Sequence, residues 1–220
     1  MPLIMFDMDG TLIDTQGLIS EHMAGAFTGA GLSAPTPADV RTTIGLSLPV
    51  AMGRLAGSAN TGLIETLVSR YKALYRASLD LGHDRELFYP GAREAIDRLR
   101  HGPGAQLGIA TGKGLAGVNR ILGRHGLEHH FVTLQTPDHN PSKPHPGMLL
   151  RAMGETGAEA RQTVMIGDTV FDMELARAAG AMAIGVGWGY HERADLRKAG
   201  AHLLIDSYDE LDAAILAVLE

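Results

Sequence analysis

The sequence contains no cysteine, which removes disulfides, thiol nucleophiles and cysteine-held zinc together. Any metal must be bound by oxygen or imidazole. Aromatic residues are scarce at 5%, and no apolar stretch approaches the ~18 residues of a membrane-spanning helix, so no membrane partner is expected. Runs of Lys or Arg are also missing. The 19 basic and 25 acidic residues leave a net charge of −6, which argues against nucleic acid or an anionic membrane surface as the main partner. The opening residues, Met1 to Asp7, lack a basic segment and reach a carboxylate too early for a signal peptide, so a cytoplasmic location is expected. Nothing in the composition chooses between a monomer and a homodimer.

What is present is a globular composition, 45% hydrophobic, with 28 Gly and 10 Pro, too few for a low-complexity chain. At 220 residues the chain exceeds the usual ~100–150 of one domain, so it can hold one large domain or a core with a smaller module. Leu3–Phe6 is a continuous apolar run, the pattern of a strand buried on both faces of a parallel sheet. From Thr15 to about Gly82 the pattern is helical. Ser20–Ala30 is rich in Ala and Met, Thr36-Pro37 reads as N-cap and first helical residue, Ser47 as another N-cap, and Ile64–Leu81 as an amphipathic helix. No strand is expected there.

After the Pro90-Gly91 turn, strand candidates Leu107–Ala110, Phe131–Leu134, Thr163–Ile166, Ala181–Val186 and Leu203–Ile205 alternate with helical stretches. That alternation implies right-handed crossovers and a Rossmann-like parallel α/β sheet with helices on both faces. Residues 15–88 form an inserted all-helical module, and 1–14 with 89–220 form the α/β core.

In an open parallel sheet, ligands bind beyond the carboxyl ends of the strands. The first strand delivers Asp7-Met8-Asp9-Gly10-Thr11, the next Thr111-Gly112-Lys113, and a later one Gly167-Asp168-Thr169 with Asp172 one turn on. Lys143 lies in a proline-rich stretch between them, and Pro144 biases its backbone to an extended form. Asp7, Asp9 and Asp168 on one edge would repel unless a cation joined them, and an all-oxygen set suits Mg²⁺. A carboxylate so placed can attack a phosphoryl group while Lys143, Thr111 and backbone N–H groups stabilise its oxygens. Asp9 can then protonate the leaving oxygen and deprotonate water. A calcium loop starting at Asp7 is excluded, because its sixth and twelfth positions are Leu12 and Leu18.

This ordered set, Asp7-x-Asp9-Gly10-Thr11, Thr111, Lys143 and Gly167-Asp168-x-x-x-Asp172, resembles the haloacid dehalogenase superfamily of aspartate-nucleophile phosphatases. The resemblance spans the whole chain, since the helical insert falls where that family places a helical cap. It implies Asp7 as nucleophile and Asp9 as general acid/base. It further implies Mg²⁺ on the side chains of Asp7 and Asp168 and the backbone carbonyl of Asp9. Thr111, with Gly112 beside it, and Lys143 would bind phosphate, and Asp172 would support the metal site or orient Lys143.

Within the family, the second aspartate separates phosphoryl transfer from dehalogenation, because an alkoxide needs a proton on leaving and a halide does not. Phosphonatases also depart from the Asp-x-Asp pattern. Mutases resembling β-phosphoglucomutase carry a cap histidine twelve residues after the nucleophile, and a Lys and an Arg flanking a cap-loop glycine. The corresponding residues are Ile19, and Ile44 and Leu48 around Gly45, so hydrolysis is expected. The segment Asp14–Ile19 and the Ile44-Gly45 turn look most like phosphoglycolate phosphatases and related pyrophosphatases. A small phosphorylated metabolite is thus the expected substrate, and Arg41 and Arg54 are candidates to meet a substrate carboxylate.

One competing pattern is Gly112-Lys113-Gly114-Leu115-Ala116-Gly117 after a strand, with Asp138 further on, which fits a dinucleotide-binding loop. It leaves Asp7, Asp9 and Asp168 unexplained. His125, His129 and His130 lack the partners of a zinc site and read as solvated histidines near a helix end. Met23, Met52 and Met148 read as core filling. Trp188-Gly189-Tyr190 reads equally as pocket edge or packing.

Overall fold

The computed structural model describes residues 1–80, 86–102 and 104–220. Six parallel strands form the central sheet: β1 (Leu3–Phe6), β4 (Gln106–Ala110), β5 (Thr133–Gln135), β6 (Thr163–Gly167), β7 (Met182–Val186) and β8 (Leu203–Ile205). Their order is β5-β4-β1-β6-β7-β8. The chain runs outward from β1 on one side and returns to continue on the other, so the topological switch lies at β1. Its neighbours pair in register, Phe6 opposite Ile109 of β4 and opposite Ile166 of β6. Asp7 therefore falls one residue past that paired level, and Thr111 and Asp168 two residues past it.

The two faces of β1 explain its unbroken apolar run. Ile4 and Phe6 pack into one hydrophobic cluster with Ile96, Val118, Leu122 and Leu211, from α5 (Ala92–His101), α6 (Leu115–His125) and α10 (Leu211–Leu219). Leu3 and Met5 pack into a second with Met148, Leu149, Met173 and Leu196, from α7 (Gly147–Thr156), α8 (Val170–Ala178) and α9 (Arg193–Ala199). A strand with helices on both sides has no solvent face, so alternation with polar residues disappears.

The strand expected at Phe131–Leu134 lies instead at Thr133–Gln135. Phe131 packs as a core side chain ahead of the strand, while Gln135, though polar, is buried at its end. Two short strands were not legible, β2 (Ile13–Asp14) and β3 (Leu87–Phe88), which pair antiparallel. Two residues are too few to show a period.

Between them stand α1 (Gln16–Gly29), α2 (Pro37–Arg41), α3 (Leu48–Ala56) and α4 (Thr61–Asp80). The expected end of the last helix at Leu81, and Gly82 after it, lie outside the described residues. Thr36 caps α2 through a reciprocal bond with Asp39, worth about 1 kcal/mol. Ser47 occupies the N-cap position of α3, yet its side chain bonds no helix N–H. The four helices share their own hydrophobic cluster, including Met23, Phe27, Val40, Met52 and Leu67, and it extends to Phe171 and Tyr190 of the sheet-bearing part. Among the described residues no helix is long and apolar enough to cross a membrane.

Candidate active site

The ends of β1 and β6, with α8 and the segment around Lys143, bring Asp7, Lys143, Asp168 and Asp172 together, all buried. Carboxylate oxygens of Asp7, Asp168 and Asp172 lie within 4.8 Å of one another. Lys143 Nζ stands 2.5 Å from Asp172 Oδ1 and 3.2 Å from Asp7 Oδ2. The Lys143-Pro144 peptide is cis.

Each carboxylate is held by its surroundings. Asp7 Oδ1 accepts from the Met8 N–H at 2.7 Å, whereas Oδ2 is buried with no aligned hydrogen-bond donor. Asp168 Oδ1 accepts from Thr11 Oγ1 at 2.8 Å and Oδ2 from the Tyr190 N–H at 2.9 Å. Asp172 Oδ2 accepts from both the N–H and the hydroxyl of Thr169, at the start of α8. Gly10, at φ +87°, closes the loop against Asp168, where any Cβ would collide with its carboxylate.

Three buried carboxylates against one ammonium would leave two uncompensated negative charges if all ionised. Burial, with repulsion from Asp172 and Asp9, pushes the Asp7 carboxyl up to about 7 despite Lys143. Burial and the other two acids hold Asp168 well above the usual carboxylate range. Burial opposes the charge on Lys143, yet Asp172 and Asp7 keep its ammonium above the ordinary lysine value. Such an acid-rich, all-oxygen pocket fits a hard divalent cation.

Asp9 is turned elsewhere. Its Oδ1 accepts from Thr15 Oγ1 at 2.7 Å and lies 3.2 Å from Lys113 Nζ. The sequence grouped its carboxylate with those of Asp7 and Asp168; in the structure Asp172 takes that place. Beyond the strand end, Thr15 and Lys113 compensate Asp9 separately. Thr15 is the N-cap residue of α1 and makes no side-chain cap bond, so its hydroxyl serves Asp9 rather than the helix end.

Thr111 is buried, and its hydroxyl accepts from the Lys113 N–H at 3.2 Å. Gly112 lies under the turn between α2 and α3, where a Cβ would collide with the carbonyl oxygens of Leu46 and Gly45. The Ser47 N–H donates to Ser142 Oγ at 2.8 Å, and the Arg54 guanidinium lies 5.2 Å from the Phe171 ring centroid. The helical segment thus sits directly on the loops that carry the acids.

Between them is a cavity of about 380 Å³. Asp7, Asp9, Thr111, Gly112 and Lys113 line it from the sheet edge, and Ile19, Met23, Ile44, Leu48, Tyr71 and Tyr75 from the helices and the turn. Arg41 and Arg54 are not among its lining residues. Neither are Trp188 and Tyr190: the Trp188 indole N–H donates to the Thr11 carbonyl, and the Tyr190 hydroxyl accepts from the Thr15 N–H, so both brace the Asp7–Thr15 loop.

Sequence reading missed the neighbourhood of Lys113. Its ammonium lies 3.9 Å from Glu86 Oε1; Glu86 also pairs with Arg120 and accepts from the Tyr75 hydroxyl at 2.7 Å. Tyr75 and Arg120 lie on α4 and α6, and Glu86 and Lys113 in loops before β3 and after β4; only the polar Lys113 beyond a strand end gave any signal. The dinucleotide pattern through Gly112–Gly117 meets an obstacle here, since Asp138 Oδ2 already accepts from the Leu115 N–H at 2.8 Å. A carboxylate thereby occupies the helix N-terminus that a pyrophosphate would need. Of the histidines, His130 pairs with Asp97 at 3.1 Å and His125 packs its ring against Phe88.

Known proteins resemble this chain in sequence and in fold. The "Probable phosphatase IndB" of Dickeya dadantii (strain 3937) is 36% identical over 222 residues, covering 100% of this chain and 95% of that protein. A phosphoglycolate phosphatase of Vibrio parahaemolyticus is 29% identical over 95% of this chain and 93% of its own length. A hydrolase from Pseudomonas syringae superposes with a TM-score of 0.85 at 24% identity, covering 97% of this chain and 98% of the other. The family model of haloacid dehalogenase-like hydrolases matches residues 4–186, and with that match over most of its length the chain belongs to this family.

Proposed function

We propose that this protein is a Mg²⁺-dependent phosphatase that hydrolyses a small phosphate monoester through an aspartyl-phosphate intermediate. Residues 1–14 and 89–220 serve as the catalytic core and 15–88 as a helical cap. The observation that carries this reading is the buried Asp7 carboxylate, beside Lys143 and within an acid cluster, at the floor of a cavity that the helices cover.

The Asp7 carboxylate attacks phosphorus while the ester P–O bond breaks. Both Asp9 contacts named above fall on Oδ1, which leaves Oδ2 to hand a proton to the departing alkoxide. Asp9 then takes a proton from water as that water attacks phosphorus and frees Asp7. Lys143 and Thr111, with the Gly112 backbone, bind the phosphoryl oxygens, and Asp172 positions Lys143. Asp7, Asp168 and the Asp9 carbonyl would hold Mg²⁺, which supplies Lewis-acid stabilisation of phosphoryl charge when bound. The covering helices and turn exclude water from the acyl phosphate.

The name of the Vibrio relative makes phosphoglycolate the first natural substrate to assay. Return of the phosphoryl group to a sugar is disfavoured, because Ile19, Ile44 and Leu48 present apolar groups to the cavity where a mutase needs polar contacts. The test is phosphate release from p-nitrophenyl phosphate, phosphoglycolate, pyrophosphate and sugar phosphates, wild type beside Asp7→Asn. Activity that needs Mg²⁺, stops with EDTA and is lost in the variant supports the reading. Substantial turnover by Asp7→Asn rules out the covalent route.

A further inference from the structure

The cavity above Asp7 is larger than a two-carbon acid requires. Its volume, about 380 Å³, lies within the ~300–1,000 Å³ range of sites for drug-sized ligands. The walls that α1 and α3 supply are apolar: Ile19 and Met23 from α1, Leu48 and Ala51 from α3. Tyr71 and Tyr75, one turn apart on α4, add nearly parallel rings, with 11° between their planes. Tyr75 is fixed in place, because its hydroxyl donates to Glu86 and both Lys113 Nζ and Arg120 Cζ lie 5.6 Å from its ring centroid.

The charges of the chamber point the same way. A substrate carboxylate deep in this space needs a cation free to meet it. Lys113 is engaged by Asp9 and Glu86, and Arg120 by Glu86 and the Tyr75 hydroxyl. Among the described residues, the remaining lining cations, Lys72 and Arg76, are exposed side chains of α4. A second buried anion would have to draw a cation out of these pairs or in from the exposed rim, whereas an apolar ring would gain from the same walls.

Building on the phosphatase reading, we infer that the organic part of the substrate is an uncharged, ring-bearing group seated between α1, α3 and α4. This makes the helical chamber a subsite for the leaving group, selecting against phosphoglycolate.

The experiment compares 2-phenylethyl phosphate, ethyl phosphate and phosphoglycolate. The first two have alkoxide leaving groups of similar basicity, so the ring is the main variable. We expect kcat/KM for 2-phenylethyl phosphate to exceed that for ethyl phosphate by about ten- to a hundredfold, the worth of burying one such ring, and to exceed that for phosphoglycolate. Filling the chamber with Ala51→Phe, or removing a wall with Ile19→Ala, is expected to reduce that ratio. The ratio within one preparation is independent of how much enzyme is folded. Turnover of all three substrates with no preference for the ring overturns this inference and leaves the phosphatase reading intact. Silence on all three, and on p-nitrophenyl phosphate, overturns the phosphatase reading and this one with it. Titration calorimetry on Asp7→Asn supplies a readout apart from turnover. Tighter binding of 2-phenylethyl phosphate than of ethyl phosphate, with a negative heat-capacity change, is expected, and equal binding overturns the subsite.

Discussion

Lys113 Nζ lies 3.2 Å from Asp9 Oδ1, with little of either side chain exposed. The same ammonium reaches Glu86 Oε1 at 3.9 Å, just ahead of β3, which enters the sheet-bearing part from the helices. Burial opposes its charge, but Asp9, the Tyr75 and Tyr71 phenols and Glu86 together hold the ammonium above the ordinary lysine value. Lys113 is thus a fixed cation that anchors Asp9 to the junction between the helical segment and the sheet.

Lys113→Met keeps most of the side-chain volume and removes that anchor. We expect kcat on alkyl phosphates to fall on the order of tenfold, a fraction of what a complete general acid contributes. The effect on p-nitrophenyl phosphate should be smaller, since nitrophenolate leaves without a proton. Steady-state rates across a series of leaving groups check this. Equal slowing for good and poor leaving groups would remove Asp9 as the group that Lys113 positions.

Metal binding should depend on pH with a definite sign. In the metal-free protein the Asp7 carboxyl sits at about 7 and Asp168 also well above its usual range. The folded protein therefore holds protons that the unfolded chain has lost, and stability falls as pH rises from about 4 to about 7. A cation needs the ionised carboxylates, so Mg²⁺ affinity should climb as pH rises over the same window and climb less steeply once Asp7 is ionised. Titration calorimetry near pH 6 in buffers of different ionisation enthalpy should show at least about one proton released per metal, and fewer near pH 8. An affinity that is flat over this range contradicts the acid cluster as the metal site.

The parts that could be read from sequence share a cause. Leu3–Phe6 is apolar throughout because both faces of β1 are covered, and the abrupt change to Asp7 marks the sheet edge where ligands bind. Asp7, Thr111 and Asp168 end three adjacent strands, so their apolar runs pointed to them. The partnership of Glu86, Arg120 and Lys113 left no such trace, since it joins residues with no common period. The strands Ile13–Asp14 and Leu87–Phe88 were too short to show one. The roles of the carboxylates were harder still. The resemblance assigned Asp9 an acid/base role and left Asp172 between the metal site and Lys143; spacing carried no trace of their partners, Thr15 and Lys113 for Asp9 and Lys143 for Asp172.

Lys143 and Asp172 form a 2.5 Å pair, yet their removal should have unequal effects. Asp172→Asn loses that pair but also relieves repulsion with Asp7 and Asp168, and Lys143 keeps Asp7 at 3.2 Å. Its amide oxygen can still accept from Thr169. We expect it to cost about 1–2 kcal/mol, below the ~3–5 typical of breaking a buried pair. Lys143→Met instead leaves three buried acids with no ammonium, so its cost should approach about 3 kcal/mol or more in the absence of metal. That cost should grow as pH rises and the carboxyls ionise, and Mg²⁺ should recover part of it by replacing the missing positive charge. Urea unfolding of both variants, with EDTA and with Mg²⁺, measures each difference. If Asp172→Asn proves the more destabilised without metal, pairing with Lys143 outweighs carboxylate repulsion, and the excess negative charge is not the dominant force in this pocket.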